Sequence, residues 1–306
     1  MSLAVLCPGQ GSQHPAMFEK LRGDAAARSV LEHAATVLGP GWLALLDDPQ
    51  ALYANRNAQP LLCLAQYACW QALQDVLQQA SAVAGYSAGE VSAYACAGLL
   101  DGQALAAVAA ARARLMDQAA RPGGLVAVRG LRRPQALALC RAHGAFVAIV
   151  NGEDAHVLGA PAPALAGLAA QAEHAGAQVA VLKVGVPSHT PLLADAVAPL
   201  SALLREHMRG ALQKTVIAGI SADRIATPAA AIDSLSRQVA QTIEWAACMD
   251  ALYERGCRVF IELGPGNGLS RMVAARYADV RARSVDDFQS LSGVRAWVQR
   301  ECDAMR

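Results

Sequence analysis

The sequence predicts an α/β fold: a mostly parallel sheet covered by helices on both faces, with a small ferredoxin-like unit inserted into it. Two observations carry this. Short apolar runs end in glycine turns and alternate with helical stretches. Between Gly123-Gly124 and Gly185-Val186-Pro187 the order becomes strand, helix, strand, strand, helix, strand, the ferredoxin-like pattern. Composition agrees, since 306 residues that are 54% hydrophobic and 17% charged can bury a large core and are too apolar for disorder.

Taken in order, a strand from Leu3 to Leu6 runs into a glycine turn, and Gln59 to Gln79 reads as one amphipathic helix. A buried strand at Ala82–Ala84 is followed by helices at Ala88–Ala97 and Gln103–Ala119, the second ended by Arg121-Pro122-Gly123-Gly124. The inserted unit has strands at Leu125–Val128, Ala145–Val150, His156–Gly159 and Val179–Val184, with helices at Pro134–His143 and Pro161–Ala175. A helix at Pro191–Met208, a strand near Val216–Ala218, helices within Pro228–Arg255 and a strand at Arg258–Leu263 complete the reading. The expected domains are a discontinuous large one, 1–122 with 186–306, and a small one, 123–185.

Several classes are disfavoured. A net charge of +1 with no basic stripe argues against a nucleic-acid partner. The eight cysteines form no C-x-x-C and sit mostly in apolar runs, which suits small hydrophobes in a reducing cytoplasm better than a zinc or disulfide framework. The amino terminus lacks the basic start of a signal peptide. Glu90 interrupts the most apolar stretch, so no membrane association is expected.

The sharpest chemical signal is Gly85-Tyr86-Ser87-Ala88-Gly89, a G-x-S-x-G pattern between a strand and a helix. Chance would supply about 0.1 such matches in a chain of this composition, so the strand-to-helix context is what gives it weight. A serine on that turn points into a cleft, and the helix start behind it offers N–H groups to a developing oxyanion. An ordinary Ser-Gly turn is the bland alternative. The serine needs a base. His33, His143, His174 and His207 fall on polar helix faces, whereas His189 follows the rigid turn Gly185-Val186-Pro187-Ser188 at a strand end. Pro8-Gly9-Gln10-Gly11-Ser12-Gln13 is an anion-facing glycine turn without a P-loop lysine, and Gly264-Pro265-Gly266-Asn267-Gly268 does not fit a dinucleotide fingerprint. Arg112 and Arg114 lie on the helix after the elbow, where one could grip a carboxylate, though most helix arginines are simply solvated.

These pieces occur in one order with Gln59-Pro60, Glu90, Pro187-Ser188-His189 and Glu262-Leu263-Gly264-Pro265-Gly266. Together they resemble the malonyl-CoA:acyl carrier protein transacylase family over nearly the whole chain. The resemblance implies an α/β-hydrolase-like large domain with the inserted ferredoxin-like small domain. It implies Ser87 as nucleophile, His189 as base, the backbone N–H groups of Gln10 and Ala88 as oxyanion hole, and Arg112 rather than Arg114 as the carboxylate ligand. It further implies the backbone carbonyl of Gln238 as the group orienting His189, with Gln59, Tyr86 and Asn151 lining the cleft. Two positions depart from the family: Tyr86 stands where many members have His, and Ala88 replaces a larger side chain. Tyr86, the Cys7-Pro8-Gly9-Gln10-Gly11 start and the Ser284-Val285-Asp286-Asp287-Phe288 tail are similar to an accessory branch, the epsilon subunit of malonate decarboxylase.

The implied activity is ping-pong transfer of a malonyl group from malonyl-CoA to the phosphopantetheine-type thiol of an acyl carrier protein. The protein would act as a monomer, with no permanently bound cofactor, the coenzyme A thioester being substrate. Fatty-acid and polyketide-pathway transacylases share this chemistry. A serine thioesterase or hydrolase would need an acidic residue behind His189 and no Arg112; a non-catalytic relative would not need Ser87, His189 and Arg112 together.

Overall fold

The computed structural model describes residues 2–304. Its strands are β1 (Ser2–Cys7), β2 (Ala82–Gly85), β3 (Gly123–Arg129), β4 (Phe146–Val150), β5 (Ala155–Pro161), β6 (Gln178–Val181), β7 (Thr215–Ile217), β8 (Arg224–Ile225), β9 (Cys257–Glu262) and β10 (Arg281–Ser284). They form two sheets. The six-stranded one runs β10-β9-β1-β2-β7-β8 and is parallel except for β8, which pairs antiparallel with β7. The four-stranded one runs β4-β5-β3-β6 and is antiparallel. With the helices Arg133–His143 and Ala162–His174 between its strands, it has the ferredoxin-like order. The expected α/β class is the one found.

Central strands flanked by helices on both faces must be apolar on both sides, and β1 and β2 are. In β1, Leu3, Val5 and Cys7 pack with Leu61, Leu64 and Val91 on one face of the sheet. Ala4 and Leu6 pack with Phe260, Trp245 and Met249 on the other. A third cluster, including Val126, Leu139, Leu158 and Leu168, fills the space between the small sheet and its helices. Seven of the eight cysteines are buried in these interiors. Among the described residues, no helix is long and apolar enough to cross a membrane.

Register positions the site. Cys7 lies beside Gly85, and Leu6 beside Glu262, so the turns after β1, β2 and β9 leave the same carboxyl edge. That edge is where parallel sheets place functional side chains.

Differences from the sequence reading have local causes. The helix expected at Gln59–Gln79 starts earlier, at Asn55, and breaks at Leu73 before a short Gln74–Leu77 turn. It is buried on nearly every side rather than amphipathic, because the Ala25–Leu31, Gly89–Cys96 and Gly102–Ala119 helices all pack against it. The strand expected at Val179–Val184 ends at Val181, its pairing with β3 covering only Val126 to Arg129. The helix expected at Pro191–Met208 opens as a 3-10 segment, kinks at Leu193 and becomes α-helical at Val197. Unread elements include β8, β10, the Gly268–Arg276 and Leu291–Asp303 helices and the short helices Ala25–Leu31, Ala34–Leu38 and Pro49–Tyr53.

Candidate active site

The turn after β2 is as tight as the glycines imply. A Cβ on Gly85 would lie 2.2 Å from the Glu90 Cα, and one on Gly89 would lie 2.0 Å from the Cys7 carbonyl oxygen. Neither backbone can retreat without moving a central strand. Gly89→Ala is therefore expected to cost about 3 kcal/mol of stability, the upper end for overpacking, read from urea or thermal unfolding. Gly268→Ala, where a Cβ would meet nothing within 4 Å, is the matched control. An equal loss in both variants would refute the close-approach account.

Between these glycines Ser87 is held at φ 55°, a left-handed conformation costly for a residue with a side chain. Among the described residues two other non-glycine residues share this region, His189 at φ 62° and Ala222 at φ 60°. Ser87 and His189 face each other: Ser87 Oγ is 2.7 Å from His189 Nε2. On the far side of the ring, Nδ1 lies 2.7 Å from the Gln238 carbonyl oxygen. A carbonyl only accepts, so Nδ1 carries the proton and Nε2 is free to accept from the serine hydroxyl. His189 is 1% exposed. Burial, reinforced by the Arg112 charge, pushes its imidazole down to about 3 against the opposing pull of the Gln238 carbonyl. The ring is neutral at ordinary pH, the state a base requires.

The Gln10 and Ala88 backbones flank this pair. Gln10 lines the cleft, in a turn whose Pro8 carbonyl accepts from Gln66 Nε2 at 2.7 Å. Ala88 is the residue preceding the Gly89–Cys96 helix. Among the described residues, neither the Gln10 nor the Ala88 N–H is engaged in a backbone or side-chain hydrogen bond. Both donors are available to an anion.

Arg112 is fully buried, on the inner face of the Gly102–Ala119 helix, whereas Arg114 is exposed. Its Nη1 donates to Gln59 Oε1 at 2.6 Å and its Nη2 to Gln238 Oε1 at 2.8 Å, leaving Nε without a partner among the described residues. Burial lowers the guanidinium to about 10, so it stays charged. Gln59 stands between it and the cleft, itself held by Asn55 Oδ1 at 2.7 Å. The cleft is a narrow cavity of about 60 Å³ between the two sheets. Gly9, Gln10, Gln59, Tyr86, Ser87 and His189 line its polar end, and apolar residues such as Met116, Leu125, Ile149 and Val186 line the rest.

Not every expected residue lines that cleft. Tyr86 does, with its ring edge-on to Trp245 at 5.4 Å. Asn151 does not; it lies beside the Tyr86 hydroxyl and lines a neighbouring groove bounded by Arg129 and Met272. Arg112 reaches the cleft only through Gln59. The sequence singles out Glu90 but gives it no role at the site, where it meets the side chain of Gln238 at 2.6 Å. A carboxylate in an apolar run was the available signal, because such a group needs buried partners.

An acidic residue behind His189, the hydrolase expectation, is absent from the described geometry: a backbone carbonyl occupies that place. The arrangement can deprotonate a serine, stabilise an oxyanion and hold a carboxylate near both.

Comparison with known proteins agrees with this chemistry. The model of the acyl transferase domain matches residues 5–292. A malonyl CoA-acyl carrier protein transacylase of Haemophilus influenzae is 28% identical over 303 residues, covering 95% of this chain and 97% of its own. An acyl carrier protein S-malonyltransferase structure from Vibrio cholerae is 30% identical with a TM-score of 0.88, covering 96% of this chain and 100% of its own. The acyl-carrier-protein S-malonyltransferase of Burkholderia pseudomallei gives 29% and 0.89, over 97% and 100% of the two chains. A malonyl-transacylase in complex with its type II polyketide synthase acyl carrier protein gives 26% and 0.87, over 95% and 98%. The chain belongs to the acyl transferase domain family, the family of the malonyl CoA-acyl carrier protein transacylases.

Proposed function

We propose that the chain transfers a malonyl group from malonyl-CoA to the thiol of an acyl carrier protein through a malonyl-Ser87 ester. One observation carries the acyl preference: a fully buried arginine with an unpaired Nε shares the Gln238 residue with the Ser87–His189 pair. A charge kept so close to a nucleophile awaits an anionic substrate group. The relatives' names support the reaction class, and the geometry supports the part given to each residue.

Ser87 Oγ attacks the thioester carbonyl as His189 Nε2 takes its proton. The oxyanion rests on the Gln10 and Ala88 N–H groups. Collapse expels coenzyme A, whose sulfur takes the proton back from the imidazolium. The carrier thiol then gives its proton to His189, attacks the ester and releases Ser87 by the reverse steps. Gln59 swings aside so that the malonyl carboxylate reaches Arg112, while Tyr86 shapes the cleft floor. Asn151 lies behind it, beside the Tyr86 hydroxyl.

These groups suffice for the reaction without a permanently bound cofactor, and one chain supplies all of them, so a monomer is competent. The large domain, 1–122 with 186–306, carries the chemistry, and the small domain, 123–185, forms the facing wall. The buried, disulfide-free thiols of Cys7, Cys63, Cys69, Cys96, Cys140, Cys248 and Cys257 suit a reducing cytoplasm. None of the relatives described above is named for malonate decarboxylase; carrier-protein transacylation in its general form is the reading they support.

Intact-protein mass after brief incubation with malonyl-CoA tests this. A malonyl adduct is expected on the wild type, none on Ser87→Ala, and transfer to a phosphopantetheinylated carrier on its addition. Free malonate accumulating without an adduct would move the assignment to a hydrolase.

A further inference from the structure

Glu90 has no part in the reaction just described, yet it is fully buried three residues after Ser87. Its Oε2 accepts from Gln238 Nε2 at 2.6 Å and from the Gly219 N–H at 3.2 Å, and its Oε1 accepts from the Tyr94 hydroxyl at 3.3 Å. The backbone is fitted to it: a Cβ on Gly219 would lie 2.5 Å from Oε2. Gln238 is the hub. Its Oε1 accepts a hydrogen bond from Arg112 Nη2, its Nε2 also donates to the Ser87 carbonyl at 3.1 Å, and its own carbonyl orients His189. A side-chain amide can be placed either way round. A carboxylate can only accept, so Glu90 dictates that Nε2 faces it and Oε1 faces the guanidinium.

We propose that Glu90 is a positioning residue for malonyl recognition: through Gln238 it fixes the Arg112 fork, and it is the buried counter-charge with which the malonyl carboxylate competes. This rests on the malonyl-transfer reading above. Two anions then share one guanidinium, so malonyl binding favours uptake of a proton by Glu90. Burial already pushes the Glu90 carboxyl up to about 7, against the hydrogen bonds from Gln238, Gly219 and Tyr94 and the Arg112 charge. The other groups facing it are Cys248, whose thiol burial and the Glu90 charge both push up, and Ser234 beside Tyr94. Neither supplies a competing charge near neutrality. As pH rises, Glu90 ionises, the site becomes more negative and malonyl binding weakens.

The test is the malonyl-CoA concentration that half-saturates acylation of Ser87, measured by rapid-quench mass spectrometry from about pH 6 to about pH 8. In the wild type it should rise at least about fivefold across that window, a modest coupling between two sites. In E90Q, which keeps an acceptor for Gly219 and Gln238 but cannot ionise, it should stay flat, and titrations of the substrate cancel because both enzymes see the same one. E90A removes the acceptor and should lose acylation that E90Q retains. An E90Q slope equal to that of the wild type would overturn the proposal, and that comparison decides the matter even where E90A fails to fold. A wild type that forms no malonyl adduct at all would instead overturn the malonyl-transfer reading.

Discussion

His189→Ala is expected to slow acylation of Ser87 by malonyl-CoA about 10⁴-fold, the upper range for loss of a positioned general base. No second base stands ready: of the other histidines, His156 is buried in the small sheet and His14 is held by Asp286 at 2.9 Å. Both donors to the oxyanion are backbone groups and survive the substitution, so a residual rate above that in water should remain. The pH dependence carries a sharper signature. The base works when neutral, which for His189 means above about 3. The wild-type rate should therefore run level from neutrality down past the ordinary imidazole range, falling only in strong acid or when the fold fails. Single-turnover acylation at saturating malonyl-CoA, measured against pH, checks this. An acid limb centred near the free histidine value of about 6.5 would show an imidazole open to water.

The contrast between His189 and Gln238 shows how far a sequence makes such a site legible. His189 stands out by its place after a Gly-Val-Pro-Ser turn, because rigid turns at strand ends leave a local trace. Gln238 does not: it ends a helix, nothing in its neighbours marks it, and only family resemblance suggests its role. Its side chain acts through contacts 126 and 151 residues away along the chain, on Arg112 and Ser87, and its carbonyl on His189, 49 residues away. The same divide runs through the fold. β1, β2 and β9 are apolar runs whose burial on two faces is written in their composition. β10, Arg281-Ala282-Arg283-Ser284, is an edge strand that faces solvent, and β8 has only two residues. An edge strand needs no apolar pattern, since its ladder is made by a partner found elsewhere in the chain. Glu90 lies between these cases. Its presence in an apolar run is visible in the sequence, and its purpose is not, because every group that satisfies it outside its own helix lies more than a hundred residues on.

Arg112→Ala should lower the preference for malonyl-CoA over acetyl-CoA about 10³-fold, measured as the ratio of kcat/KM for acylation of Ser87. The size follows from burial. Removing one partner of a buried ion pair costs about 3–5 kcal/mol, and each 1.4 kcal/mol is tenfold. Here the uncompensated partner would be the substrate carboxylate, brought into a cleft otherwise lined by Met116, Leu125, Ile149 and Val186. The loss should fall on malonyl alone, since acetyl-CoA has no carboxylate to place. Acetyl transfer should rise, because the guanidinium that acetyl would leave unsatisfied is gone. Arg112→Lys separates charge from shape: an ammonium has no planar fork to serve Gln59 and Gln238 together, so it should recover only part of the preference. Full recovery by lysine would make the site a point charge. An unchanged malonyl-to-acetyl ratio in Arg112→Ala would sink the carboxylate-binding role and leave Arg112 as a strut between two glutamines.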